Sequence, residues 1–152
     1  MRKRAVTATG IRREEQVMGE GTMTTLEWQE TTWDGAPAAE AAVPKTTVAS
    51  DRAEITGTIE GQVTDRWLMS YTAEGIAHFV GLTHVTGTVA GRSGTCVLQH
   101  TGRFDEQGLH TDFTVVPGSG TGELEGITGT GTFVYTGAEG EPTRYTFEPR
   151  FA

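Results

Sequence analysis

From Thr24 to the carboxyl terminus, runs of threonine, valine, isoleucine and aromatic residues are broken by short clusters of Gly, Asp, Glu and Pro, at the spacing of an antiparallel meander. The breaks are too short to hold crossover helices. Ala73-Glu74-Gly75, Gly91-Arg92-Ser93-Gly94 and Asp105-Glu106-Gln107-Gly108 each suit a hairpin. Eight strands are predicted, over residues 24–33, 46–59, 63–72, 76–89, 95–104, 109–116, 130–136 and 143–151. With 27 threonines and 21 glycines, the composition favours strands and turns over helices. Between the first two strands, Ala38–Ala42 has room for one helical turn, and Pro37 and Pro44 bar anything longer. The fold class is therefore all-β. Eight such strands close into an antiparallel barrel, which removes the exposed edges that invite aggregation; a two-sheet sandwich is the alternative. Glycines inside strands, at positions 57, 81, 87, 102 and 131, point to the tight curvature of barrel corners.

Hairpin lengths set which side chains share a face. A three-residue connection at Ala73–Gly75 places Trp67 opposite Gly81, Met69 opposite Phe79 and Tyr71 opposite Ala77. A four-residue connection at Gly91–Gly94 places Val89 opposite Cys96, Gly87 opposite Leu98 and Val85 opposite His100. The hairpin at Asp105–Gly108 sets His100 beside Phe113 and Leu98 beside Val115. One face thus collects Trp67, Met69, Tyr71, Phe79, Val85, Cys96, Leu98, His100, Phe113 and Val115, and this face is expected to be the lumen. A one-residue error in any connection would turn the following strands inside out.

Residues 1–22 hold five of the twelve basic residues and lack the apolar stretch of a secretion signal. They are expected to form a disordered or non-native extension ahead of a single domain over 23–152. Met1, Met18 and Met23 are all candidate starts. Beyond the extension stand 7 basic and 17 acidic residues, a net charge near −10, against −8 for the whole chain. That balance argues against a grip on nucleic acid, which needs a basic patch. No apolar run approaches the roughly 18 to 20 residues of a membrane helix, so no membrane partner is expected. Cys96 is the only cysteine, which excludes an internal disulfide and fits a cytoplasmic location.

After Val115-Val116-Pro117 comes the glycine-punctuated run Gly118-Ser119-Gly120-Thr121-Gly122-Glu123-Leu124-Glu125-Gly126-Ile127-Thr128-Gly129-Thr130-Gly131. Leu124 and Ile127, three apart, can plug one barrel end through a single helical turn. A phosphate-cradling loop is disfavoured, because no GK[ST] ending and no helix follow. The run is similar to the Gly-Thr-Gly pattern of allene oxide cyclase and dirigent barrels. Over residues 24–152 the resemblance widens. Trp67-Leu68-Met69-Ser70-Tyr71, Phe79-Val80-Gly81-Leu82, Gly91-Arg92-Ser93-Gly94, Val97-Leu98-Gln99-His100 and Val116-Pro117-Gly118-Ser119-Gly120-Thr121-Gly122 resemble a bacterial family of unknown function built as allene-oxide-cyclase-like barrels. The resemblance implies an eight-stranded antiparallel barrel and brings no established activity. The plant cyclases bind an unsaturated fatty-acid epoxide in the lumen and dirigent barrels steer radical coupling, but no catalytic residue of either transfers to this chain.

His78, His84, His100 and His110 show no metal-ligand spacing, and neither a metal nor another cofactor is implied. His100 and Tyr71 share the lumen face, where they are expected either to act as acid and base on a ligand or to form a satisfied core pair. Glu54 is the candidate third catalytic group, with Glu60 as its alternative, if one carboxylate enters the lumen. Trp67, Met69, Phe79, Val85, Cys96, Leu98, Phe113 and Val115 are the expected ligand-lining residues, Cys96 doing so as a small apolar group rather than a nucleophile. Three functions stay open. The barrel is an isomerase or cyclase that folds a flexible apolar substrate, a non-catalytic carrier of a hydrophobic small molecule, or a solid structural barrel. In the last case the outward Leu68, Val80, Leu82, Val97 and Val116 would form a homo-oligomer interface.

Overall fold

A computed structural model describes residues 18–138 and 140–152. Eight antiparallel strands follow one another around a closed barrel, each paired with its neighbours in sequence and the last with the first. They are β1 (Gly19–Thr32), β2 (Lys45–Gly57), β3 (Ile59–Tyr71), β4 (Ala77–Val89), β5 (Arg92–Asp105), β6 (Gly108–Val115), β7 (Thr128–Tyr135) and β8 (Thr143–Arg150). The sandwich is thereby excluded. A single 3-10 turn, Ala38–Glu40, lies in the β1–β2 connection, and a second, Gly122–Leu124, caps one end of the barrel. Leu124 and Ile127 are fully buried there, plugging that end as the glycine-punctuated run predicts.

The expected β3–β4 and β5–β6 pairings hold, with Trp67 opposite Gly81, Met69 opposite Phe79, Tyr71 opposite Ala77 and His100 opposite Phe113. Between β4 and β5 the expectation needs correction. Val85 stands opposite Cys96, Thr83 opposite Leu98 and Gly81 opposite His100, because β4 and β5 are joined by two residues rather than four. Ala90 and Gly91 both take positive φ, 50° and 84°, the backbone that a two-residue turn needs to match the twist of its strands. The slip is an even number of residues, so Cys96, Leu98 and His100 keep facing inward. The close glycines make room for rings: a Cβ on Gly81 would lie 2.3 Å from the Trp67 ring, and one on Gly131 2.4 Å from Phe113.

The barrel starts earlier than expected. β1 begins at Gly19, and Gly19–Met23 pairs with Phe147–Thr143 of β8 to close the ring. β1 thus extends four residues ahead of the domain start expected at 23; the expectation for residues 1–17 lies outside the described residues. A chain beginning at Met23 would retain only the Met23–Thr143 pairing of this seam. Beyond Met23 the ladder to β8 ends, while β1 continues along β2 as far as Thr32 with a bulge between Thr25 and Glu27.

The interior has two halves. Toward the Leu124 plug it is solid, packed with Ile55, Ile59, Val63, Val85, Val89, Leu98, Phe113 and Phe147, all nearly inaccessible. Tyr145 ties this half together: its hydroxyl donates to the Thr56 carbonyl at 2.7 Å and accepts the Ile59 N–H at 2.9 Å. Toward the β1–β2 and β7–β8 connections the interior is hollow. Outside, Val48, Leu68 and Val80 form one cross-strand row and are exposed, as is Leu82. Val97 and Val116 are partly covered by the 117–121 segment, where Ser119 Oγ accepts the Val97 N–H at 3.0 Å. Among the described residues no helix is long and apolar enough to cross a membrane.

Candidate functional site

The hollow half encloses a cavity of about 430 Å³, within the size range of small-molecule sites. Trp67, Met69, Phe79, Phe104, Leu109, Phe133 and Tyr135 supply most of its wall, and Asp51, Asp65, Thr83, His100 and Thr111 its polar groups. The mouth lies where β1 parts from β8, between Met23, Thr24, Thr25 and Trp28 on one side and Glu141, Pro142 and Thr143 on the other. Burial of the rings in the wall removes apolar surface from water and leaves the polar groups to satisfy one another.

Those polar groups form one chain across neighbouring strands. Asp51 and Asp65 are directly opposite on β2 and β3, and both are buried. Trp67 Nε1–H donates to Asp51 Oδ2 at 2.9 Å. Thr83 Oγ1 is hydrogen-bonded to Asp65 Oδ1 and lies 2.9 Å from His100 Nε2. His100 Nδ1 in turn lies 3.1 Å from Thr111 Oγ1. Burial, reinforced by the carboxylate of Asp51 beside it, pushes Asp65 up to about 9, so Asp65 carries a proton at neutral pH. Burial also drives His100 down to about 3 and keeps its ring neutral.

Proton counting orders this chain. A neutral imidazole has one donor and one acceptor, and each threonine hydroxyl has one proton. If Thr83 donates to Asp65 Oδ1, His100 Nε2–H donates to Thr83 and Thr111 donates to His100 Nδ1. The proton of Asp65 is then on Oδ2, shared with Asp51 Oδ1, the two oxygens that have no other donor. Reversing every bond, so that Thr111 donates to the Thr101 carbonyl 3.2 Å away, would leave both oxygens bare. The first setting therefore wins, since an unsatisfied buried acceptor costs roughly 1–3 kcal/mol.

Of the residues expected at the site, His100, Trp67, Met69 and Phe79 border the cavity. Val85, Cys96, Leu98, Phe113 and Val115 do not line it; they belong to the solid half, because the barrel narrows to packed side chains below His100. Burial raises the Cys96 thiol to about 11, which keeps it protonated. Glu54 lies on the outer face, since Ala53 and Ile55 on either side of it are the inward residues of β2. Glu60 is also exposed and accepts the Gly57 N–H at 3.2 Å. Tyr71 does not meet His100. Its hydroxyl donates to Glu30 Oε2 at 2.6 Å, the oxygen that Thr47 Oγ1 also reaches at 2.6 Å, clamping β1, β2 and β3 at the barrel rim. Burial and the Glu30 carboxylate raise the Tyr71 phenol far above its ordinary value, and it acts as a fixed donor. Tyr71→Phe should cost about 1 kcal/mol in a urea unfolding series.

Asp51, Asp65, Thr83 and Thr111 are the members that sequence reasoning missed. Strand alternation carries the signal: Asp51 shares parity with Ala49, Ala53 and Ile55, and Asp65 with Val63, Trp67 and Met69. His78, His84 and His110 are exposed, and among the described residues no group of three or more His, Cys, Asp or Glu could hold a metal ion.

A crystal structure of a protein of unknown function from Shewanella oneidensis MR-1, determined at 1.84 Å and assigned to the DUF3224 family, is similar to this barrel with a TM-score of 0.70. The two chains are 26% identical, and the match covers 91% of this chain and 98% of the other. A search of curated proteins gives no match. The family described as Protein of unknown function (DUF3224) matches residues 19–148, the same span that runs from the first residue of β1 into β8, and the chain belongs to that family.

Proposed function

We propose that the protein binds one small molecule with a mainly apolar body in the hollow half of the barrel. Trp67, Met69, Phe79, Phe104 and Leu109 would grip that body, and the Asp51–Asp65–Thr83–His100 chain would meet its polar end. The supporting observation is the cavity itself: apolar walls, an edge between β1 and the β7–β8 connection, and polar groups gathered together rather than scattered. Isomerase or cyclase chemistry is the catalytic form of this reading. It is favoured by a neutral carboxylic acid next to a hydroxyl–imidazole chain, a pairing able to lend and take up a proton while the walls hold a flexible substrate in one conformation.

Titration with the neutral apolar dye Nile red tests the cavity. Saturable binding of one dye per chain is expected, and Leu109→Trp, which fills the upper cavity without touching the hydrogen-bonded chain, should abolish it while keeping the urea midpoint. Dye binding unaffected by that substitution would overturn the lumen reading. Incubation with a lipophilic extract of the host, followed by mass spectrometry, then separates the forms. A compound of unchanged mass and altered retention time marks an isomerase or cyclase, and one retained unaltered marks a carrier.

A further inference from the structure

The Asp51–Asp65 pair is left with an electrostatic imbalance. Asp65 is 1% exposed and Asp51 8%. With the proton held at Asp65, the pair carries one negative charge rather than two, and buried charge is costly unless it is paired. Neutral donors meet part of the demand: Trp67 Nε1–H on Asp51 Oδ2 and the Thr83 hydroxyl on Asp65 Oδ1. Asp51 Oδ1 and Asp65 Oδ2 are sealed from the cavity and receive no donor from any other group, so they share the one proton and the pair's remaining charge has no cation beside it. The nearest guanidinium, Arg66, is exposed on the outside of β3 and spends a donor on the Asp65 carbonyl at 2.9 Å. Among the described residues that line the cavity none is Lys or Arg. Glu141 at the mouth adds a further carboxylate, held by Arg144 at 3.5 Å. Trp28, Trp67, Phe79 and Phe104 line the same cavity, and an aromatic ring attracts a cation to its face.

We infer that the cavity selects an organic ammonium ion, a protonated amine on an aromatic or aliphatic body, with the amine at the Asp51 side of the polar chain and the body among the rings. This rests on the proposed ligand-binding lumen and narrows it. An ammonium brings the positive charge that the pair and the cavity wall lack. A carboxylate ligand of similar shape would bring like charge to the same place and is rejected, so a free fatty acid is a poor fit to this lumen.

Isothermal titration calorimetry of the full chain with phenethylamine, phenethyl alcohol and phenylacetate tests the inference, because the three share a body and differ in charge. Phenethylamine should bind about tenfold or more tighter than the alcohol, and phenylacetate should bind weakest. The double variant Asp51→Asn/Asp65→Asn should bring amine and alcohol to equal affinity. Both positions change because one remaining carboxylate suffices for one charge, and paired amides can still bridge Trp67 and Thr83. If the double variant fails to fold, the comparison within the unaltered protein decides. An alcohol that binds as tightly as the amine, or a tighter phenylacetate, overturns the ammonium inference and leaves the lumen reading standing. The same holds if none of the three binds while Nile red does. Loss of Nile red binding as well would bring down the lumen reading itself.

Discussion

Between pH 6.5 and about 9, urea unfolding of this protein should show stability falling as pH rises, with a slope approaching about 1.4 kcal/mol per pH unit. The cause is Asp65. Its folded form keeps a proton up to about pH 9, mainly because burial penalises the charge, whereas in the unfolded chain the carboxyl loses it near the ordinary 3.8. The folded state therefore binds more protons than the unfolded state throughout that window, and each upward step in pH favours unfolding. His100 has the opposite sign: lowered to about 3 from 6.5, it contributes stability that is fully present above pH 6.5 and lost as pH falls toward 3. From about pH 4 to 6.5 the two slopes oppose each other and the profile should be nearly flat; above 6.5 Asp65 acts alone until the Cys96 thiol, raised by burial to about 11, adds a small decline of the same sign as pH nears 9. Asp65→Asn should remove the alkaline decline. A wild-type profile that stays level from pH 6.5 to 9 would contradict a protonated Asp65 and, with it, the ordering of the Thr83–His100–Thr111 chain.

Phe113→Ala is expected to cost about 3–5 kcal/mol, a large share of the roughly 5–15 kcal/mol that holds a domain of this kind together. The ring is buried and lies 5.4 Å from His100, 5.2 Å from Phe133 and 5.3 Å from Phe147, centroid to centroid. These rings form the boundary between the hollow and solid halves. Across the strand pair Phe113 faces Gly131, so no neighbouring side chain at that position can move in to fill the hole. A urea midpoint series with Phe113→Leu, expected to lose much less, separates the cavity cost from loss of aromatic contact. A loss below about 1 kcal/mol for Phe113→Ala would mean that the boundary is already loosely packed.

The barrel was legible because its signals are local and repeat. Turn clusters and β-branched runs mark all eight strands, and Leu124 and Ile127 mark the plug, since each rests on residues adjacent in sequence. The site was legible only in part. Inward facing for Trp67, Met69, Phe79 and His100 follows from alternation, and an even slip at Ala90-Gly91 does not disturb it. Depth along the barrel axis does not follow from alternation. Val85 and Cys96 face inward as Phe79 does, yet they meet the packed half because the shear of the strands sets their height. Facing alone pairs Tyr71 with His100, whereas its height at the rim brings it to Glu30. Parity points to Asp51 and Asp65, rather than Glu54 or Glu60, as the buried carboxylates, a residue type that burial usually excludes unless it is paired.

Every joint between consecutive strands is bridged by covalent chain, and only the one between β1 and β8 is held by hydrogen bonds without a connecting loop. In mechanical terms the barrel is a split ring with a clasp at Gly19–Met23, and the mouth of the cavity sits immediately beside that clasp. Closure of the barrel therefore rests on five residue pairs at this seam, whereas every other joint has a covalent link as well.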